Sequence, residues 1–342
     1  MLREKSGIFI PENPQILNLQ TAGNSDAFLD KWLRQSRGEI IPNTKLVLVL
    51  TAGMRRGGIT TGILSGLRTH GFSPDGLQAI VGSSVGGTVA REYAGNNLDA
   101  LEGLFADDRR PNKTTGELER VIFMPPTKPK FINFVNTEDL FRKEGAPEEV
   151  VKAAKPEIYV GLRDKGEKRF INLKEVEDSV DLVISSMTIQ KITERRNRRV
   201  ILNTTKEEIM GADPLHKDSE LIKFAINELG ATDIGVLFTS NPFERNLADI
   251  AFDYGVAILE HMHNREHMFR ALYDLRHTDK SPEHFEKLFS GSGKVEMAGF
   301  YPQDMPINPS ELDLALMSRV IKESKAFGDQ QGMASAQRLY SR

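Results

Sequence analysis

The chain contains no cysteine, which excludes a disulfide framework, thiolate-ligated zinc, an iron–sulfur cluster and a thiol nucleophile. That absence fits a reducing compartment. Long apolar runs are also missing: the stretch Leu46 to Leu50 is five residues, against the roughly 20 that a membrane-spanning helix requires. The first apolar residues, Ile8 to Ile10, run straight into Pro11 and Pro14, too short for a secretory leader. The expectation is a chain without a cleavable signal, cytoplasmic or peripherally attached to a membrane. Nor is there an excess of one charge. Lys plus Arg number 45 against 48 Asp plus Glu, for a net charge of -3, so the broad basic surface of a nucleic-acid binder is not expected.

What is present is a globular composition, 39% hydrophobic and 27% charged over 342 residues, enough to bury a sizeable core. Residues 1–43 are polar and broken by Pro, Asn and Gly, and read as an irregular lead-in with one short helix near Asp26 to Arg34. Residues 44–342 read as one domain, because aliphatic strand patterns occur at both ends, with a helical and strand part over 247–342. Leu46 to Leu50 has the pattern of a strand buried on both faces, followed by a helix from Ile59 to Thr69 that Gly71 ends. Leu77 to Val81 and Val85 to Tyr93 repeat the strand–turn–helix unit. Two such units in succession imply an α/β three-layer sandwich with a parallel-rich central sheet.

Further along, Asp107 to Phe134 reads as a surface loop or cap, and Glu157 to Gly161 with Lys168 to Asn172 as a hairpin. Leu182 to Ile184, Arg199 to Leu202 and Ile234 to Thr239 are strand candidates, with a helix from Leu221 to Leu229. The chain closes with a strand at Val295 to Phe300 and a helix capped by Ser310 and running through Lys322.

Chemistry enters at Gly82-Ser83-Ser84-Val85-Gly86, a Gly-x-Ser-x-Gly between a short aliphatic strand and a helix. In that context the central serine sits on a tight turn with its hydroxyl presented outward, and the glycines leave room for close backbone approach. Upstream lies Leu50-Thr-Ala-Gly53-Met54-Arg55-Arg56-Gly57, a second strand–loop–helix that presents backbone N–H groups to an anion. Turns on successive strands share the crevice beyond the strand ends, so one suits a nucleophile and the other an oxyanion hole.

Together these segments resemble the patatin-like phospholipase family. Residues 50–64 lie without a gap on its block Leu-Ser-Gly-Gly-Gly-x-Arg-Gly-x-x-x-x-Gly-Val-Leu, keeping Gly53, Arg56, Gly57, Gly62 and Leu64, with Ala52 and Met54 in place of two glycines. Ile80 to Gly86 matches Ile-Val-Gly-Thr-Ser-Ala-Gly, and Val180 to Met187 is similar to the stretch ending in Ser-Ser-Ala-Ile-Pro. The resemblance spans roughly residues 45–240. It implies a patatin-like fold and a serine acyl hydrolase of the phospholipase A or lipid esterase type, needing no metal and no cofactor. Ser84 would be the nucleophile, with Gly82 and Gly86 shaping its elbow. Gly53, Met54, Arg55, Arg56 and Gly57 would form the oxyanion loop, and a phospholipid or other lipid ester would be the substrate.

The family pairs its serine with an aspartate in Asp-Gly-Gly or Asp-Gly-Ala, and no Asp-Gly occurs after Ser84. Three positions compete: Asn203 at a strand end, Met210 in Met-Gly-Ala, and Asp213 in Gly-Ala-Asp-Pro. Only an aspartate among these can accept the serine proton, so Asp213 is assigned as the base, with Asn203 as the alternative position. A turn-forming Asp before Pro is the plain alternative for Asp213. A Ser-Asp-His triad using His216 or His261, and a catalytically degenerate fold serving in lipid binding or regulation, are the rival readings. His263-Asn-Arg-Glu-His267 has a metal-site spacing, but a solvated helix rich in Glu and Arg produces the same string. The Pro-rich segment Met124 to Lys130 and the basic run Lys191 to Arg199 read as a cap that meets anionic lipid.

Overall fold

The computed structural model describes residues 16–111, 116–120, 134–164, 167–188, 198–211, 218–244, 254, 258, 269, 282–290, 295–304 and 313–341. The first half contains β1 (Leu19–Gly23), α1 (Ser25–Ser36), β2 (Leu46–Leu50), α2 (Gly57–Arg68), β3 (Ala79–Ser83), α3 (Val85–Ala94), α4 (Leu98–Ala106), β4 (Arg109–Pro111) and β5 (Leu118–Arg120). Then come α5 (Phe134–Glu144), α6 (Glu148–Ala153), β6 (Glu157–Asp164), β7 (Glu167–Asn172), α7 (Ser179–Met187), β8 (Arg198–Ile201) and β9 (Glu208–Gly211). The described elements end with α8 (Asp218–Asn227), β10 (Asp233–Leu237), α9 (Pro282–Phe289), β11 (Glu296–Pro302) and α10 (Leu314–Tyr340).

Side chains alternate across a strand, so Leu46-Val-Leu-Val-Leu50 places leucines on one face and valines on the other. Leu46, Leu48 and Leu50 join a core with α1, α2, α3 and α10, while Val47 and Val49 join a second core with α8 and α9. An aliphatic strand with no polar face therefore takes the centre of the sheet. The sheet runs β1-β11-β10-β2-β3-β6-β7. The inner five strands are parallel, and β1 and β7 are antiparallel edges. The molecule is a three-layer α/β sandwich, as the strand–turn–helix pattern implies. Successive strands β2, β3 and β6 step one way from β2, and β10 and β11 lie on its other side. Strand order thus reverses at β2, and ligand crevices of open α/β sheets form beyond the strand ends at such a point.

Helices α2 and α10 meet almost backbone to backbone. A Cβ on Gly66 would lie 2.1 Å from the Lys325 carbonyl oxygen, and one on Gly328 would lie 2.2 Å from that of Ile63. Among the described residues no helix is long and apolar enough to cross a membrane.

Several elements differ from the sequence reading. The stretch read as an irregular lead-in holds β1 as well as a helix, and β1 pairs antiparallel with β11. Its apolar signal is weak because Leu19 alone is buried, Gln20 and Ala22 are half-buried and Thr21 and Gly23 are exposed. Leu182 to Ile184 is helical, not a strand: the Asp178 side chain accepts from the Val180 and Asp181 amides and starts α7. Arg199 to Leu202 is centred on β8, which pairs with β9 in a separate two-stranded sheet. The closing helix is capped by Asp313 rather than Ser310 and runs on to Tyr340, through the glycines that pack on α2. Within the segment read as a surface cap, Asp108 is fully buried.

Candidate active site

Ser84 stands between the last residue of β3 and the first turn of α3, with φ 53° and ψ −128°. This is a region that residues with a Cβ rarely occupy, at a cost of about 1–3 kcal/mol unless the surroundings impose it. They do impose it. A Cβ on Gly82 would lie 2.4 Å from the Gly86 carbonyl oxygen, and one on Gly86 would lie 2.2 Å from that of Leu50. Both outer positions of Gly-x-Ser-x-Gly are therefore restricted to glycine by backbone, not by taste in loops. The Ser84 carbonyl accepts from the amides of Gly87 at 3.0 Å and Thr88 at 3.4 Å. Its own amide donates to Ser186 Oγ at 2.8 Å.

The second loop leaves β2 at the same rim, because Leu50 is aligned with Gly82 in the parallel ladder. The two turns touch: a Cβ on Gly57 would come within 2.6 Å of Val85 Cγ2, the side chain next to Ser84. Thr51 Oγ1 donates to the Leu237 carbonyl at 3.3 Å and accepts from the Thr239 amide at 3.0 Å. The Thr239 hydroxyl in turn donates to the carbonyl of Ala52. This clasp ties the loop to the end of β10, across the gap where strand order reverses. Gly53 has extended backbone, whereas Met54, standing in a glycine position of the resemblance, has φ 51°. The short turn Met54–Arg56 then leads into α2. Two helix N-termini meet at one rim, and their positive dipole ends suit a developing oxyanion.

The two arginines of this loop are interior groups. Arg55 donates to the Phe105 carbonyl at 2.6 Å and pairs with Asp108 at 3.3 Å, and Arg120 reaches the same carboxylate at 2.8 Å. Arg55 thus fixes the loop to the end of α4, with its charge matched inside the protein. Arg56 is 3% exposed. Beside them the Asp107 carboxyl is lowered to about 2, chiefly by hydrogen bonding to the Arg109 side chain.

Asn203 follows β8, and its amide donates to the carbonyls of Val176 at 2.8 Å and Lys174 at 3.4 Å. Met210 lies in β9 with its amide 3.3 Å from Asp164 Oδ1. Asp213, His216, His261, His263, His267, the segment 124–130 and residues 191–197 of the basic run lie outside the described residues. Arg199, at the end of that run, pairs with Glu208 at 3.1 Å on the surface.

Behind the elbow, α3 carries a buried ionic cluster absent from the sequence reading. Arg91 pairs with Glu92 and donates to Ser179 Oγ at 2.7 Å and to the Ala146 carbonyl at 2.8 Å. Glu92 accepts from the Ala146 amide at 2.7 Å and from Asn97 at 2.8 Å. An adjacent Arg-Glu pair in a helix otherwise built of Val, Gly, Ala, Thr and Tyr was the available signal, but its partners Ala146 and Ser179 are distant in sequence.

No family model matches the chain, and no curated protein does. Among solved structures it is similar to VipD from Legionella pneumophila, with 12% identity and a TM-score of 0.36 over 87% of this chain and 67% of that one.

Proposed function

We propose that this protein is a serine acyl hydrolase of the patatin-like type, acting on phospholipid or another lipid ester. The observation that carries the reading is the backbone of Ser84: a non-glycine residue at φ 53° between a central strand and a helix, with flanking glycines that backbone contacts enforce. Such strain is retained where a function uses it.

In the proposed reaction Ser84 Oγ attacks the ester carbonyl and its proton passes to a carboxylate, assigned to Asp213. Amides of the Gly53 loop stabilise the oxyanion, the alcohol leaves with a proton, and water then hydrolyses the acyl-enzyme. Arg55 and Arg56 support the loop from within in this scheme rather than meeting the substrate. The expected partner is a lipid surface met peripherally, with the basic run 191–199 supplying charge attraction of up to about 1 kcal/mol per basic residue near an anionic membrane.

A long-chain fluorophosphonate should label Ser84, and Ser84→Ala should abolish both labelling and hydrolysis of a soluble ester. Labelling at another serine sinks the assignment. The absence of an Asp-Gly after Ser84 favours, as a second reading, a lipid-binding protein on the same fold, which would bind vesicles while leaving Ser84 unlabelled.

A further inference from the structure

We propose that Ser186 is the positioning residue that holds Ser84 in its attacking conformation; the inference rests on reading Ser84 as the nucleophile. A backbone at φ 53° persists only where neighbours over-determine it, and one of those neighbours is a side chain from another element. Ser83 is aligned with Gly161 across the β3–β6 ladder. One residue later the chain turns away, and the Ser186 hydroxyl is interposed between the two strands. It accepts from the Ser84 amide at 2.8 Å and donates to the Gly161 carbonyl at 2.6 Å. The direction is forced, because an amide only donates and a carbonyl only accepts.

The contact belongs to a brace. Helix α7 runs antiparallel to α3 and is joined to it at both ends, Ser186 to Ser84 at one and Ser179 to Arg91 at the other. Ser185 supplies an internal control. It precedes Ser186 on the same helix and is equally buried, yet its hydroxyl has no hydrogen-bond partner among the described residues. Removing the Ser186 hydroxyl leaves an amide and a carbonyl facing a methyl group in a dry site. Rotation of the peptide between Ser83 and Ser84 relieves this and takes the nucleophile out of its conformation. Removing the Ser185 hydroxyl strands nothing.

The test compares wild type, Ser186→Ala, Ser186→Thr and Ser185→Ala for kcat and KM on a soluble ester and for the rate of fluorophosphonate labelling. An unpaired buried amide corresponds to about a 10- to 100-fold loss, expected for Ser186→Ala in kcat and labelling rate, with KM within about twofold of wild type. Ser185→Ala should stay near wild type, and Ser186→Thr, which keeps the hydroxyl, should recover much of the loss. Equal effects of the two alanine variants would overturn the proposal. If Ser186→Ala does not fold, Ser186→Cys replaces it, since a thiol fills the space but hydrogen-bonds weakly; full activity there would also overturn it. If the wild type neither hydrolyses esters nor takes the label, the enzyme reading has failed on its own. Crystal structures of wild type and Ser186→Ala then decide the positioning role: Ser84 should leave positive φ in the variant, and an unchanged φ refutes it.

Discussion

Thr239 closes directly over Gly53: a Cβ on Gly53 would lie 2.3 Å from Thr239 Oγ1 and 2.7 Å from its Cβ. The loop proposed to offer amides to an oxyanion is thus clamped against the end of β10, and any side chain at this position must lift it. Gly53→Ala should lower kcat on a soluble ester by about 100-fold, the usual scale for a displaced oxyanion donor. Thr239→Val keeps the shape but leaves the Ala52 carbonyl without its partner, at a cost of about 1–3 kcal/mol in stability. Steady-state kinetics and urea unfolding measure the two effects separately, and wild-type kcat in Gly53→Ala would count against the loop.

Asp213→Asn should reduce activity about as far as Ser84→Ala, and the double variant no further, because a nucleophile and its base fail as a unit. Asn203 makes a contrasting case, since its amide is already committed to the Val176 and Lys174 carbonyls. If Asp213→Asn is nearly silent and Asn203→Asp raises activity, the base lies at 203 and the natural chain is degenerate. Circular dichroism on each variant separates loss of chemistry from loss of fold.

The Arg91–Glu92 pair makes a stability prediction. Both side chains are about 1% exposed, so removing one partner strands a buried charge, at about 3–5 kcal/mol. Arg91→Leu and Glu92→Gln should each lower the urea midpoint by a corresponding amount. The double variant should cost less than the sum, because residues in one network couple. Purely additive losses would show that the two charges do not depend on each other.

The centre of the sheet was legible in the sequence because its strands are aliphatic on both faces, as in Leu46 to Leu50, and the elbow because its glycines and serine fall between a strand and a helix. The hairpin β6–β7 was legible from its two apolar segments. Edge strand β1 was not, since a polar residue is tolerated wherever one side faces solvent. Helix α7 was misread because three aliphatic residues satisfy either period, while the deciding signal was the cap at Asp178. Ser186 stayed out of reach for a different reason. Its partner Ser84 is 102 residues away, and no local pattern distinguishes it from Ser185.

The Asp329 carboxyl lies below its ordinary value, mainly because the Thr69 hydroxyl donates to it and next because of His70. A depressed carboxylate stabilises the folded state above its unfolded value, near pH 4, and that contribution disappears as pH falls through the lower folded value. The pair is half exposed and solvent-screened, so Asp329→Asn should cost only a few tenths of a kcal/mol at pH 7. At pH 2 the variant and wild type should unfold alike. A constant difference between pH 7 and pH 2 would mean that the side chain acts by packing and not by charge.

The contact between α2 and α10 sets two opposing effects against each other. Alanine is a better helix former than glycine by about 1 kcal/mol, which alone makes Gly328→Ala stabilising. Its new methyl group would sit 2.2 Å from the Ile63 carbonyl oxygen, and backbone on a packed helix cannot step aside as a side chain can. Forcing extra volume into such a contact costs about 1–3 kcal/mol or more, so the collision wins and Gly328→Ala should unfold at lower urea. Gly332 tests the argument from the other side, because there the nearest atom is Cδ2 of the His70 ring at 2.8 Å, which can rotate away. Doing so gives up only the exposed hydrogen bond of His70 Nε2 to Asp329, 2.9 Å long. Gly332→Ala should therefore be close to neutral while Gly328→Ala, one turn earlier on the same helix, is clearly destabilised. Since α2 begins at the Gly53 loop, Gly328→Ala should also slow fluorophosphonate labelling of Ser84, and equal unfolding midpoints for the two variants would show that the helices are not held at backbone contact.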